Sequence, residues 1–288
     1  MLSVALLFGS VPACTTPARA QKGRDKTAPV ALTLTRTTTR HESRHLALGG
    51  TVSIVGAPAG AITIEGWQRN EVELTAEIEL RADTEENLAL LAAVNNFTTD
   101  LDADHLRILT TGTHDKSFMK LYAKKFPKNL IGLPWKIDFH LKIPALTDLE
   151  IDAGDGPIKL SGVEGAVRIN ALASDALLSL TGGDAVITIL RGTINLRIPG
   201  RGWHGLGANI QLASGEFTVE LPPDFNADLN ADVLRSGQIE TAYPGLVPRD
   251  RETSTPRSLR GRAGNGGATL TFTVGDGTLR IKKATPGS

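Results

Sequence analysis

An all-β fold is what this sequence predicts: a parallel β-helix or solenoid of short stacked strands with one flanking helix. Three observations carry the prediction. Several stretches alternate apolar and polar side chains with a period of two, the pattern of half-buried strands. From residue 149 onward, short strands recur every ~18 to 20 residues between Gly, Asp and Ser corners. The 30 Gly and 15 Pro, set against 5% aromatic residues, supply the tight turns that such a stack requires. A twisted antiparallel β-sandwich built from the longer N-terminal strands is the alternative.

Residues 1–20 read as a signal peptide. Leu2 to Val11 is an apolar run of signal-core length, too short to span a bilayer. Ala18-Arg19-Ala20 fits a small-x-small cleavage site and leaves Gln21 as the first mature residue. Val11-Pro12-Ala13-Cys14 offers a second route, a degraded bacterial lipoprotein signal in which Cys14 is lipidated. No Lys or Arg precedes the apolar run, which leaves the true start codon open. Either route makes the protein extracytoplasmic, free in the periplasm or lipid-anchored to the cell envelope. Cys14 is the single cysteine, so no disulfide is expected.

Residues 21–45, rich in Thr and basic side chains, read as a linker or a loosely paired first strand. Residues 46–283 read as a single β-solenoid domain. In "NEVELTAEIELR", Val72, Leu74, Ala76, Ile78 and Leu80 share one face, and "WKIDFHLKI" repeats that pattern from Trp135 to Ile143. "DTEENLALLAAVNN" predicts the helix, capped by Asp83 or Thr84 and running to about Asn95. Residues 113–136 read as an insertion, and 248–267, rich in Arg, Pro and Gly, as a mobile loop. In the repeat region each unit offers two strands of about four residues. One unit alone buries too little to offset the ordering of its chain, at roughly 1.5–3 kcal/mol per buried Ile, Leu or Val. Stacked units share a core.

"GTVSIVGAPAGAITIEGWQRNEVELTA", "LEIDAGDGPIKLSGVEGAVRINAL", "GEFTVELPPDFNADLNADVLRSGQIET" and "TLTFTVGDGTLRIKK" together resemble the exported bacterial "putative adhesin" family of β-strand-repeat domains, also called the toastrack domain. The Gly66-Trp67 pair and Leu221-Pro222-Pro223, leading into Ser236-Gly237, carry the resemblance most clearly. It implies a right-handed β-helix-like fold in secreted or membrane-tethered proteins of unassigned activity. "LRIPGRGWHGLGANI" departs from it by lacking a clean repeat turn.

His41-Glu42-Ser43-Arg44-His45 spells the H-E-x-x-H string of zinc hydrolases. That chemistry needs a helix, which places the two imidazoles one turn apart. Here a β-branched run precedes the string and Gly49-Gly50 follows it. In a strand the two rings stand roughly 13 Å apart, too far for one ion. No metal or cofactor is expected. The Asp-Gly corners at Asp155, Asp184 and Asp276 are spaced too irregularly for calcium-binding loops and read as turn chemistry. Glu150 and Asp152, about 7 Å apart on one strand face, would suit a glycosidase, but charged strand faces offer such pairs routinely. His105, His114, His140 and His204 form no local ligand set, and no catalytic residue is assigned.

Acidic and basic residues balance at 31 each, which gives no global attraction to nucleic acid. The local exception is "KSFMKLYAKKFPKNLIGLPWK", residues 116–136, with six Lys and no acidic residue. A helix from Ser117 to Phe126 would set Phe118, Met119, Tyr122 and Phe126 opposite Lys120 and Lys124. Lys116, Lys120, Lys124, Lys125 and Lys128 are therefore the candidates for contact with a membrane or acidic partner. The function read from these features is a non-enzymatic envelope scaffold or adhesin-like interaction module. Its partner would be an envelope protein, a glycan or a membrane surface, with no small-molecule substrate identified. A carbohydrate-active hydrolase on a β-helix is the alternative.

The two processing routes separate by fractionation. If Cys14 is lipidated, Cys14→Ser moves the protein from the membrane fraction to soluble periplasm. Unchanged fractionation selects cleavage after Ala20 or another anchor.

Overall fold

Glu71–Ala82 and Trp135–Pro144, the stretches of strictest alternation, are strands β4 and β7 of the structure. The structure is a computed structural model that describes residues 32–122, 126–248 and 255–284. Before β4 come β1 (Leu34–His45), β2 (Thr51–Ala59) and β3 (Ile62–Trp67). Helix α1 (Glu85–Val94), β5 (Asn96–Asp102), β6 (His105–Thr111) and helix α2 (Lys116–Tyr122) lead to β7. Then follow β8 (Asp148–Asp155), β9 (Ile158–Ser161), β10 (Val167–Ser179), β11 (Gly182–Arg197) and β12 (His204–Leu221). The chain ends in β13 (Ala227–Ala242), β14 (Leu246–Pro248), β15 (Ser258–Ala263) and β16 (Thr269–Lys283). Among the described residues, sixteen strands join in one open sheet, an all-β fold that does not close into a barrel.

The sheet has two legs. In the first, β6, β2, β8 and the leading halves of β10, β11, β12, β16 and β13 lie side by side, all parallel. In the second, β7, β3, β9 and the trailing halves of the same five strands do so, again all parallel. Each rung is therefore one first-leg and one second-leg segment joined at a corner. Rungs do not follow chain order. β2 and β3 lie between β6–β7 and β8–β9, and the C-terminal β16 lies between β12 and β13. Antiparallel pairing is confined to the ends: β1–β4–β7 and β5–β6 at one, β13–β15–β14 at the other.

The repeat is legible in the register. Leu149, Val167 and Ala185 face one another at steps of eighteen residues, and the next step, to Ala208, takes twenty-three. The longer step contains the irregular turn before Trp203, whose indole is buried and donates to the Gly183 carbonyl at 3.0 Å. The expected short strand pairs are instead continuous strands from β10 onward. Pairing resumes in the same register past the corner after one skipped position, as from Ala171↔Ile189 to Ala173↔Arg191, and shifts only in β13 between Val233 and Ser236, so the strand does not end there.

Stacking explains the core. Ile108, Ile54, Ile151, Ile169, Ile187 and Ile210 form one inward column, each at most 2% exposed. Phe272 continues it and meets Phe217 of the second leg edge-to-face, with ring centroids 5.3 Å apart. The predicted helix is α1, where the Thr84 hydroxyl accepts from the Asn87 N–H at 3.2 Å. It buries Leu88, Leu91 and Val94. In the segment where the pattern sets a helix from Ser117 to Phe126, α2 covers Lys116–Tyr122, and 123–125 lie outside the described residues.

Two chain segments take definite form. Of 21–45, read as a linker or a loosely paired first strand, residues 34–45 form β1, paired with β4 over all twelve residues, while 21–31 lie outside the described residues. Within the segment 248–267, read as a mobile loop, Ser258–Ala263 is β15, antiparallel to β13. Leu259, Gly261 and Ala263 face inward, and two of them are too small to register as alternation. The arginines between them pair with β13, Arg260 with Asp232 at 2.8 Å and Arg262 with Asp228 at 2.9 Å. Residues 249–254 lie outside the described residues.

Ile169→Asp places an unpaired charge inside the isoleucine column and is expected to destabilise the protein by several kcal/mol. Amide-exchange protection should fall in β8 and β11 as well as in β10. Loss confined to residues 165–172 would contradict a shared core.

Candidate interaction surface

His41 and His45 lie on extended β1, opposite Thr75 and Glu71. His41 Nδ1 is 2.9 Å from the Thr75 hydroxyl. Among the described residues, no group of three or more His, Cys, Asp or Glu side chains is placed to hold a metal ion. The corner aspartates do not converge either. Asp276 is bound by Arg235 at 2.6 Å and by the Ser236 hydroxyl at 2.9 Å, which together hold its carboxyl below the usual range. Glu150 accepts from Ser53 at 3.1 Å and pairs with Arg168 at 3.7 Å.

A groove of about 550 Å³ opens on the outside of the corner, in the size range of binding pockets. It crosses the β2, β8, β10 and β11 rungs. Gly56, Ala57 and Pro58 of β2 and Ala153 and Gly154 of β8 form its low floor. Leu172 and Leu190 stand at its far side, 53% and 46% exposed. Asp152, Asn170 and Thr188, stacked on successive rungs, edge it with polar groups. The depression exists because Gly154 has no side chain where Leu172 and Leu190 project.

The insertion closes the other end. β2 and β3 are joined by two residues, whereas more than twenty separate β6 from β7 on the neighbouring rung. The excursion is fastened by Asn95, whose side-chain oxygen accepts from the Thr113 N–H at 2.8 Å and the Thr113 hydroxyl at 3.2 Å. Met119, Phe126, Leu130 and Trp135 bury its apolar side. Asp115 caps α2 by accepting from the Ser117 and Phe118 N–H groups at 2.7 and 3.1 Å. His114 lines the groove, its ring tilted against Trp135 with centroids 5.3 Å apart. Burial pushes the imidazole pKa below its ordinary 6.5, against the opposing pull of Asp115 and the Gly56 backbone.

Lys116 and Lys120 are exposed on α2 and Lys128 on the turn that follows, while Lys124 and Lys125 lie outside the described residues. Leu121 projects beside them, 82% exposed. The groove escaped sequence reading because its walls come from four rungs. The one local signal is a bulky apolar residue at an outward position, Leu172 after inward Ala171 and Leu190 after inward Ile189.

No family model and no curated protein matches the chain. Solved structures do. A "putative cell adhesion protein" from Clostridium sporogenes is 12% identical over 86% of this chain and 100% of its own, with a TM-score of 0.45. A "putative adhesin" from Bacteroides fragilis is 10% identical over 86% and 97%, TM-score 0.30. A "putative lipid binding protein" from Parabacteroides distasonis is 11% identical over 86% and 97%, TM-score 0.22.

A lowered pKa means that the folded state resists protonating His114, so its contribution to stability is present above pH 6.5 and is lost as pH falls below it. His114→Gln removes that term. Its urea midpoint should drop less than that of the wild type between pH 7 and pH 5. Parallel profiles would show that the ring titrates freely.

Proposed function

We propose that the protein is an extracytoplasmic, non-enzymatic interaction module of the cell envelope. One observation carries this reading: a solvent-open, largely apolar groove crosses four rungs of the stack beside the corner, with His114 of the 113–136 segment at one end. A rigid stack that leaves apolar side chains exposed along a groove is built for contact with a partner. The hydrolase alternative needs two carboxylates acting across one cleft. Here only Asp152 lines the groove, while Glu150 is engaged by Arg168 and Ser53. Export rests on residues 1–20 and lipidation on Cys14, all outside the described residues.

The insertion is the part that meets an anionic envelope surface. Lys116, Lys120 and Lys128 surround a stretch from which Leu121 projects, and no acidic residue offsets them between 116 and 136. Each Lys near an anionic bilayer contributes about 1 kcal/mol, and an exposed Leu adds an apolar foothold. Among the described residues no helix is long and apolar enough to cross a membrane.

Unlipidated protein should float with vesicles containing anionic phospholipid at low salt and release at high salt. A variant with Lys116, Lys120, Lys124, Lys125 and Lys128 changed to Gln should lose most of that binding. Equal flotation of the two proteins would remove the electrostatic contact from the proposal.

A further inference from the structure

The outer face of the second leg carries a separate trough of about 460 Å³, running across rungs rather than along a strand. One wall is Lys159, Leu177 and Asn195, stacked in register on β9, β10 and β11. The other is Ser161, Ser179, Arg197 and Glu220, stacked on β9 to β12. The two serines are small, which opens the space beside the exposed Leu177, 51% accessible.

The charges in this trough are unevenly used. Glu220 is ion-paired with Lys282 at 3.0 Å. Lys159 and Arg197 take part in none of the ion pairs or side-chain hydrogen bonds among the described residues, whereas Arg235, Arg260, Arg262 and Arg280 all pair with carboxylates on this sheet. Two cations, neither engaged in a close ion pair among the described residues, thus flank a row of hydroxyl and amide groups. Glu65, opposite Ser161, and Glu220, opposite Arg197, bound the row at its two ends and limit it to about three rungs.

We propose that this trough binds a linear polysaccharide bearing carboxylate groups, laid along the stack axis. The rungs present side-chain positions in register every ~4.8 Å, close to the repeat of a pyranose unit and unlike the ~3.3 Å rise of an extended peptide. Ser161, Ser179 and Asn195 offer hydrogen bonds to sugar hydroxyls, and Leu177 offers an apolar surface to ring C–H groups. Lys159 and Arg197 supply charge-assisted hydrogen bonds to uronate carboxylates. The site is independent of the corner groove and of the basic insertion.

Calorimetry with an oligogalacturonate of about six units tests this, alongside its fully methyl-esterified form and a glutamate oligomer of equal charge. The acid form should bind at least about tenfold more tightly than either control. Lys159→Gln and Arg197→Gln should each weaken it about tenfold without shifting the thermal midpoint, since both side chains lie on the outer face. Failure of the acid form to bind, or equal binding of acid and ester, overturns the proposal. Equal binding of the glutamate oligomer overturns the glycan assignment. Flotation on anionic vesicles is unaffected by these variants, so failure here leaves the envelope-contact reading standing.

Discussion

Six rungs of this protein turn their corner through the same steric constraint. Gly60, Gly156, Gly192, Gly215, Gly277 and Gly237 stack in one column, all at positive φ. At Gly215, φ is 141° and an added Cβ would lie 1.8 Å from the Gly192 carbonyl oxygen, inside any possible contact. The backbone bends in a conformation that L-side chains rarely adopt, and the neighbouring rung comes too close to admit one. In return the hydrogen-bonded ladder passes around the bend. That continuity holds the two legs at a fixed angle and gives both a common inside. Ser174 is the exception in the column. It takes a negative φ, and its hydroxyl is buried with no hydrogen-bond partner, a cost of about 1–3 kcal/mol that the adjacent rungs offset.

A stack that repeats needs ends that do not. Parallel ladders would leave open edges, and an exposed edge invites pairing with another chain. At the N-terminal end the chain folds back as antiparallel β1 and β5, and the gap between them is closed by charge rather than by apolar packing. Arg40 bonds the Asn96 side chain at 2.9 Å and the Phe97 carbonyl at 3.0 Å, lies 4.2 Å over the Phe97 ring and pairs with Glu42 at 2.7 Å. Glu42 in turn accepts from Thr99 at 2.7 Å and pairs with Arg44 at 3.0 Å. The string that spells a zinc motif is thus half of an end cap. Its glutamate and arginine face the core's open end, and its histidines face solvent. At the other end Tyr243 does comparable work. Its hydroxyl accepts from the Phe225 N–H at 3.2 Å and lies 2.8 and 2.9 Å from the Pro222 and Pro223 carbonyls.

What the sequence could disclose depended on whether a feature is local. Alternation in β4 and β7 is local and was legible, as was the eighteen-residue step from Leu149 to Ala185. The rung order was not, since nothing near Thr269 indicates that β16 slides between β12 and β13. β15 was hidden by its own composition, with Gly and Ala on the buried face and Arg on the other. The groove and the trough were out of reach for a deeper reason. Their lining residues on neighbouring rungs sit eighteen or more residues apart, and each alone is an unremarked outward Leu, Ser or Lys.

The same separation of inside from outside explains how the scaffold can carry recognition at all. Inward columns are constrained by their neighbours above and below, so isoleucine follows isoleucine and a large Phe272 is followed by a small Ala231. Outward columns carry no such demand, and their side chains can change rung by rung without disturbing the stack. Where successive outward residues are small, as at Gly154 or at Ser161 and Ser179, a depression forms whose length is set by the number of rungs and whose axis follows the stack. An elongated partner lying along that axis meets a new side chain at each ~4.8 Å step. Specificity is then written across rungs, on a backbone that the glycine column keeps rigid.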